Sequence, residues 1–153
     1  MRLILQRVTQ AEVVIDGTRT KNTGPGLLIL LGIGPEDTER TADFMAEKAA
    51  NLRIFDPTEN DGKEQSLLDF GGEAMVISNF TLYASSRKGR RPSYTGAAHP
   101  TVAEPLYEYF VEALGKAGVR HIETGAFGAD MQVTLTNDGP VTIILDSAEI
   151  MPR

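Results

Sequence analysis

The chain has 153 residues, of which 24% are charged and 41% are hydrophobic, and its formal net charge is −6. Residues 1–153 are therefore expected to form a single domain with a substantial core. The apolar runs are far shorter than the ~20 residues of a membrane-spanning helix, and the net negative charge argues against indiscriminate binding to nucleic acid. The absence of cysteine excludes disulfides, a thiolate nucleophile and a zinc–thiolate site.

The first part of the chain is dominated by strand patterns. Residues 2–8 and 12–16 predict two strands, with Asp16-Gly17 as a hairpin turn. A buried strand is expected over residues 27–33. The N-terminal segment carries a charge by residue 7 and no small-residue cleavage site, so a signal peptide is not expected and a cytoplasmic location is.

The middle of the chain predicts a first helix followed by further strands. Asp37 and Thr38 are candidate N-caps for a helix whose apolar residues recur at steps of three and four. The apolar face of this helix consists of Ala42, Met45, Ala49 and Leu52. Residues 53–55 predict a short strand, residues 59–63 a polar turn and residues 74–83 a longer strand.

The last third predicts a second helix and two strands. Residues 84–100 are rich in Ser, Gly, Pro and cations and should be irregular, and a capping box at 101–104 begins a helix that ends near Gly118. Residues 130–136 and 141–146 predict two strands separated by an Asn-Asp-Gly-Pro turn. Together these elements predict an α+β fold with two helices.

Side chains with conventional catalytic chemistry are scarce. His99 and His121 belong to no motif, and a surface or loop position is the simpler interpretation of each. Asp56, Glu59 and Asp61 are explained by a polar turn rather than by a metal site, which would need several converging ligands. We therefore expect no metal and no cofactor.

A cluster of positive charge stands out in this acidic chain. Four cations occur within five residues, around Gly89 and between Tyr83 and Tyr94, which are expected as stacking faces. The cations are Arg87, Lys88, Arg90 and Arg91. A solvated loop is one interpretation, but glycine permits a close backbone approach and arginine suits bidentate phosphate contacts, so a nucleic-acid backbone is a plausible ligand.

Two short segments place small polar groups at the ends of apolar runs, namely residues 78–82 and residues 137–142. The first holds the hydroxyls of Ser78 and Thr81, neither with a neighbouring base that could activate it. Backbone N–H groups there could still stabilise an oxyanion. In the second, Gly139-Pro140 is either a plain turn or a device that fixes the direction of two carbonyl groups.

These two segments resemble the signatures of the D-aminoacyl-tRNA deacylase family, Ser-Gln-Phe-Thr-Leu and Asn-x-Gly-Pro-Val-Thr. The resemblance spans the whole chain through further matching segments, which are 5–8, 24–27, 51–55, 88–93 and 124–131. Asn79 stands where the family has glutamine and is one methylene shorter. If the side-chain amide contacts the substrate, the shorter side chain reaches less far. If backbone groups act at this position, the change has little effect, and this is what we expect.

The resemblance implies a mainly antiparallel, barrel-like sheet and a homodimer with active sites at the interface. It implies that Gly139-Pro140 is cis and enters the partner's site, where its carbonyl groups meet the substrate α-amino group. An L side chain would then clash, whereas a D side chain or glycine would be accepted. Arg7 is a candidate for holding this loop, and Asn137, Phe127 and Met131 are further candidates for substrate binding, with Phe127 near the terminal adenosine.

The resemblance also implies how the ester is hydrolysed. The tRNA 2′-hydroxyl helps to activate water, and backbone N–H groups around Phe80 and Thr81 polarise the carbonyl group. The candidate catalytic residues are Ser78, Asn79, Phe80 and Thr81. In the alternative, Thr81 is the nucleophile. The implied partner is the 3′ end of aminoacyl-tRNA, held by the four cations. Neither DNA nor a membrane is an expected partner. The remaining alternatives are a tRNA 3′-end binding module without turnover and a small-molecule esterase.

Overall fold

The structure is a computed structural model that describes residues 1–59 and 61–152. Within these ranges the α+β prediction is confirmed. The strands are β1 Arg2–Ile15, β2 Arg19–Thr23, β3 Gly26–Gly32, β4 Glu73–Ser78, β5 Ile122–Thr124 and β6 Met131–Asp146. The helices are α1 Glu39–Asn51, α2 Leu67–Phe70, α3 Pro100–Lys116 and α4 Ser147–Ile150, with a 3₁₀ helix at Phe80–Tyr83. The two predicted helices are α1 and α3; the four-residue α2 and α4 are too short to show a helical period.

The sheet is built around the long strand β1. It pairs antiparallel with β2, β3 and β6, whereas β3–β4 and β4–β5 are parallel pairs. The strands at the two ends of this pairing order, β2 and β5, lie close to each other: Lys21 Nζ of β2 is 3.9 Å from Glu123 Oε2 of β5. The sheet is therefore nearly closed, and the mainly antiparallel, barrel-like prediction is confirmed.

Both long strands were predicted as two pieces each. β1 is continuous through residues 9–11, and β6 continues through the predicted turn because both of its halves pair with β1. The partner of Gln6 is Thr142, while the partner of Val8 is Asn137. Arg7 alone therefore faces the four residues 138–141, which form a bulged loop inside the strand rather than a chain-reversing turn.

Three other boundaries differ from the predictions. The strand predicted at 53–55 is only an isolated bridge between Phe55 and Gln65. The strand predicted over 74–83 ends at Ser78. Helix α3 begins at Pro100 and is capped by the His99 side chain, so the predicted Thr101 capping box does not form. Of the predicted turn at 59–63, Asn60 lies outside the described residues.

The sheet separates two apolar cores. Leu3 and Leu5 pack with α1 and α3 on one side, whereas Val13 and Ile15 belong to a second cluster with Met75. A regular strand would place these odd-numbered residues of β1 on one face. The irregular pairing around Val8 shifts the alternation of side chains, so the buried odd-numbered residues after Val8 lie on the opposite face of the sheet from Leu3 and Leu5.

The position of the candidate site follows from the parallel pairing of β3 with β4. The carboxyl ends of neighbouring parallel strands lie at one edge of a sheet, and here Leu31 pairs with Ser78 at that edge. The start of α3 lies over the same edge, since the Ala98 N–H donates to the Ile33 carbonyl at 2.9 Å.

Candidate active site

A cavity of about 490 Å³ opens at this edge. Its wall is mostly apolar, which is typical of small-ligand sites that add a few polar groups for orientation. The lining residues are Leu31, Ile33, Ser78, Asn79, Phe80, Tyr94, Ala97, Ala98, Pro100, Ala103, Phe127, Gly128, Ala129 and Met131. The structure thus brings together five of the predicted site residues, which are Ser78, Asn79, Phe80, Phe127 and Met131.

The end of β4 and the segment after it contribute Ser78, Asn79 and Phe80 to the cavity wall. The Asn79 N–H donates to the Leu31 carbonyl at 2.8 Å, which ties the segment to β3. Asn79 Oδ1 then accepts from the Thr81 N–H at 3.2 Å and from the Thr81 hydroxyl. Both donors of Thr81 are therefore committed. Among the N–H groups of residues 79–81, that of Phe80 has no acceptor within residues 1–59 and 61–152, so it is the backbone donor available to a ligand.

Side chains that could activate a nucleophile do not reach this segment. The Thr81 hydroxyl proton points to an amide carbonyl, which is not a base. The His99 ring caps α3, with Nδ1 accepting from the Thr101 N–H at 3.3 Å. Burial, and then the nearby Asp37 and Asp146 carboxylates, raise the pKa of the Tyr83 hydroxyl, so it stays neutral. Among the described residues the cavity holds no nucleophile–base pair.

Another part of the cavity wall, at Phe127, packs on the buried Tyr107. Phe127 lies against Tyr107, with ring centroids 6.1 Å apart. The Tyr107 hydroxyl donates to the Val76 carbonyl at 2.9 Å, and burial raises the pKa of Tyr107 to about 12. This neutral, buried support fixes the position of the Phe127 ring on the cavity wall.

The four predicted RNA-binding cations lie on an exposed loop beside the cavity. Its stem is closed by two backbone hydrogen bonds between Ser85 and Ser93, of 2.8 and 2.9 Å. Arg87, Lys88, Arg90 and Arg91 form no ion pair with any described residue. Tyr83 cannot act as the expected stacking face, because the Arg2 guanidinium lies 4.5 Å from its ring centroid and Gly34 packs closely against it.

The second motif lies elsewhere on the chain. Gly139 and Pro140 are exposed, their peptide bond is cis, and neither they nor Arg7 and Asn137 line the cavity. Asn137 Nδ2 donates to the carbonyls of Arg7 and Val141 at 2.9 and 3.0 Å and closes the base of the loop.

Arg7 supports the same loop from inside. Its side chain is only 10% exposed and donates from Nη1 to the Ile54 carbonyl at 2.7 Å. Nε lies 3.1 Å from Asp138 Oδ2, but its N–H is not aligned with that oxygen, so this contact is an ion pair without a hydrogen bond. Asp56 Oδ1 lies 3.2 Å from Nη1.

Sequence reasoning missed several residues that form these sites. The cavity wall includes Ala97, Ala98 and Ala103, which have no chemical signature and are recognised only by their position at the start of α3. Asp138 was predicted only as part of a turn, although its carboxylate lies 3.1 Å from Arg7 Nε.

Comparisons with known proteins agree over nearly the whole chain. The family model described as D-Tyr-tRNA(Tyr) deacylase matches residues 4–146. A D-aminoacyl-tRNA deacylase of Roseiflexus castenholzii is 55% identical over 149 residues, covering 97% of this chain and 93% of the relative. One from Thermomicrobium roseum is 54% identical, with 98% and 96% covered.

Solved structures show the same fold. A structure described as a c-Myc DNA unwinding element binding protein has a TM-score of 0.87 and 40% identity, covering 96% of this chain and 99% of its own. A probable eukaryotic D-amino acid tRNA deacylase has a TM-score of 0.83 and 15% identity, with 94% and 97% covered, and shows the fold alone. By its family model and its relatives, this chain belongs to the D-Tyr-tRNA(Tyr) deacylase family.

Proposed function

We propose that this chain hydrolyses the ester bond of D-aminoacyl-tRNA, and of mischarged glycyl-tRNA, releasing the free amino acid and tRNA. The observation that carries the proposal is the uncommitted Phe80 N–H at an apolar cavity beside a loop of four exposed cations. Such a site can polarise a reactive ester and hold a phosphate backbone without supplying a side-chain nucleophile.

The chemistry then relies on backbone and substrate. Water attacks the ester carbonyl carbon, its proton passes through the 2′-hydroxyl of the terminal adenosine, and the ribose 3′-oxygen leaves with a proton. The Phe80 N–H stabilises the developing oxyanion, and an oxyanion donor of this kind contributes about 10²–10³ in rate. Thr81 takes no direct part, because both of its donors are held by Asn79.

Chiral selection is assigned to the Gly139-Pro140 loop of a partner subunit. In this chain the loop is exposed and lies outside its own cavity lining, so a homodimer with sites at the interface would supply it from the other chain. Its carbonyl groups would meet the α-amino group and exclude an L side chain by contact, while a D side chain or glycine is accepted.

The RNA contacts complete the proposal. Arg87, Lys88, Arg90 and Arg91 bind phosphates of the acceptor strand, and Phe127 lies under the terminal adenosine. Among the described residues no helix has the length and apolar character needed to span a membrane. We place the reaction in the cytoplasm because aminoacyl-tRNA, the proposed substrate, is made and used there.

The first experiment compares deacylation of D-tyrosyl-tRNA, L-tyrosyl-tRNA and glycyl-tRNA at one salt concentration. Fast loss of the D ester and of the glycyl ester, with the L ester preserved, supports both the activity and the chiral filter. Equal hydrolysis of both enantiomers leaves an esterase and overturns the filter. Binding without hydrolysis favours the tRNA 3′-end binding module instead.

A second experiment tests the partner's contribution to the site. A Gly139→Val variant and a Phe80→Pro variant, which lacks the proposed donor, are each expected to be inactive. Refolded together at equal amounts, they should recover about a quarter of wild-type activity, since half of the dimers are mixed and each has one intact site. No recovery, with mixed dimers present, contradicts the interface site.

A third experiment examines nucleic-acid preference. The solved relative described as a DNA unwinding element binding protein makes DNA the relevant competitor. A DNA hairpin with the acceptor-stem sequence should inhibit deacylation more weakly than the matching RNA hairpin, because the 2′-hydroxyl distinguishes RNA from DNA. Inhibition should weaken with salt for both. Equal inhibition contradicts the expectation that DNA is not a partner.

A further inference from the structure

Two aromatic rings at the mouth of the cavity are unusually exposed. Phe80 is 56% exposed and Tyr94 is 45% exposed, although both line the cavity. Their ring centroids lie 5.3 Å apart at an interplanar angle of 71°. This edge-to-face contact fixes the two rings relative to each other and leaves ring surface open to a planar ligand.

The rings are continuous with the cationic loop. Tyr94 directly follows Ser93, whose backbone pairs with Ser85 to close the stem of that loop. The aromatic rim and the four cations are therefore parts of one segment, in which the rings line the cavity and the cations lie on the exposed loop. Charge followed by open aromatic faces is the usual composition of sites for single-stranded nucleic acid.

We propose that Phe80 and Tyr94 form a stacking site for the nucleobase immediately 5′ to the terminal adenosine of the substrate. This inference rests on the proposed function. A 490 Å³ cavity accommodates one aminoacyl-nucleoside, so the preceding nucleotide must lie at the rim. Because the many tRNAs share a common 3′ end, one stacking site at the rim would serve all of them.

The test uses three short D-tyrosyl esters: D-tyrosyl-adenosine, D-tyrosyl-CpA and the same dinucleotide with an abasic 5′ position. The abasic compound retains the added phosphate and ribose, so the ratio of kcat/KM for CpA to that for the abasic compound isolates the base. For the wild-type protein we expect this ratio to be about tenfold or more, as for one stacked base. A ratio of about one overturns the inference.

Variants assign the effect to the rim. Tyr94→Leu should reduce the ratio to about one, while Tyr94→Phe, which keeps the ring, should retain it. Tyr109→Leu is the matched control, because Tyr109 contacts Asp43 on α1 and lies away from the cavity; its ratio should stay at the wild-type value. A Tyr94→Leu protein that hydrolyses the esters with an undiminished ratio contradicts the assignment.

The ratio also separates this inference from the proposed function. If none of the D esters and no D-tyrosyl-tRNA is hydrolysed, the proposed function itself is wrong. If all three esters are hydrolysed equally well, the enzyme is established and only the rim site is refuted. Because inactive protein contributes to neither rate, partial misfolding of a variant does not change the ratio.

Discussion

The two motif segments are both anchored by an arginine of β1, but in different surroundings. Arg2 donates from Nη1 to the Leu82 carbonyl at 3.1 Å and lies over the Tyr83 ring, with its side chain 41% exposed. Arg7 holds the bulged loop, and its side chain is only 10% exposed. The first anchor fixes one wall of a cavity, whereas the second fixes a loop whose tip is exposed.

This difference indicates what each segment does. This cavity wall needs only modest support from Arg2, because the Asn79 N–H bond to the Leu31 carbonyl also holds it to β3. A projecting loop is stable in one conformation only if its base is tied, and here the Asn137 amide bonds across the base while the buried Arg7 guanidinium lies against Asp138. Preorganisation of that kind is what the proposed insertion of the loop into a partner's site requires.

The largest effect is expected from Gly139→Ala, which tests the loop. Gly139 has φ +119°, and an added Cβ would lie 2.9 Å from Val141 Cγ2 and 3.2 Å from Arg7 Nη2. The tip must shift, and a displacement of about 1 Å at a site lowers rates by about 10²-fold. We expect this loss in kcat/KM for D-tyrosyl-tRNA, measured by deacylation.

The control for this substitution is Gly17→Ala in the β1–β2 turn. Gly17 also has positive φ, +69°, but nothing lies within 4 Å of the added Cβ. It should show a similar backbone cost in thermal unfolding with unchanged activity. Equal activity of the two alanine variants would mean that the loop geometry does not matter.

Arg7→Gln should have the next largest effect and should act on both stability and activity. Its ion pairs contribute little, since Asp56 is 85% and Asp138 45% exposed. The buried charged hydrogen bond to Ile54 contributes about 2 kcal/mol to the free energy of unfolding. Loosening of the loop should lower kcat/KM about tenfold, or ~1.4 kcal/mol.

The comparison variant is Arg2→Gln, at the other anchor. Because Arg2 is more exposed than Arg7 and its segment has a further support, the kcat/KM of Arg2→Gln should fall by less than that of Arg7→Gln. Chemical denaturation and deacylation of the two variants under one condition give the comparison. A larger loss for Arg2→Gln would reverse the ranking of the two anchors.

The fold was predictable where local chemistry decides it. Helix α1 has both a helical apolar period and a Thr38 cap, and both are found in the structure. The joining of the half-strands of β1 and β6 was not predictable, because it depends on pairing between residues more than a hundred positions apart. The end of β4 at Ser78 likewise depends on the Asn79 side chain turning back to Thr81.

The candidate site was predictable only in part. Five of the candidate site residues lie on one cavity, namely Ser78, Asn79, Phe80, Phe127 and Met131. Thr81 is absent from that lining although it lies in the same motif. Whether a residue after the end of β4 faces the cavity depends on the direction that the backbone takes there, and residue types alone do not determine that direction.

Thr81→Ala should have a small effect on catalysis. The substitution removes one hydroxyl hydrogen bond to Asn79 and keeps the Thr81 N–H bond to the same oxygen. A single neutral hydrogen bond contributes about 1 kcal/mol, so kcat/KM should fall by no more than about tenfold. Loss of several orders of magnitude, with an unchanged circular dichroism spectrum, would show that Thr81 is a nucleophile after all.

The smallest effect concerns the dependence of stability on pH at the Arg2 anchor. Burial would raise the pKa of Asp146, but hydrogen bonds from Arg2 and the Ala148 N–H outweigh it and hold the pKa below its ordinary value. A carboxyl group with a lowered folded-state pKa stabilises the fold above its unfolded pKa of about 3.9, and this contribution is lost as pH falls through the folded value.

In Arg2→Gln the pKa of Asp146 should move back towards the ordinary value. The stability difference between wild type and variant should therefore shrink below about pH 4 in denaturant titrations. A constant difference from pH 7 to pH 3 would show that Arg2 acts through packing on Tyr83 and its bond to Leu82, and not through its charge on Asp146.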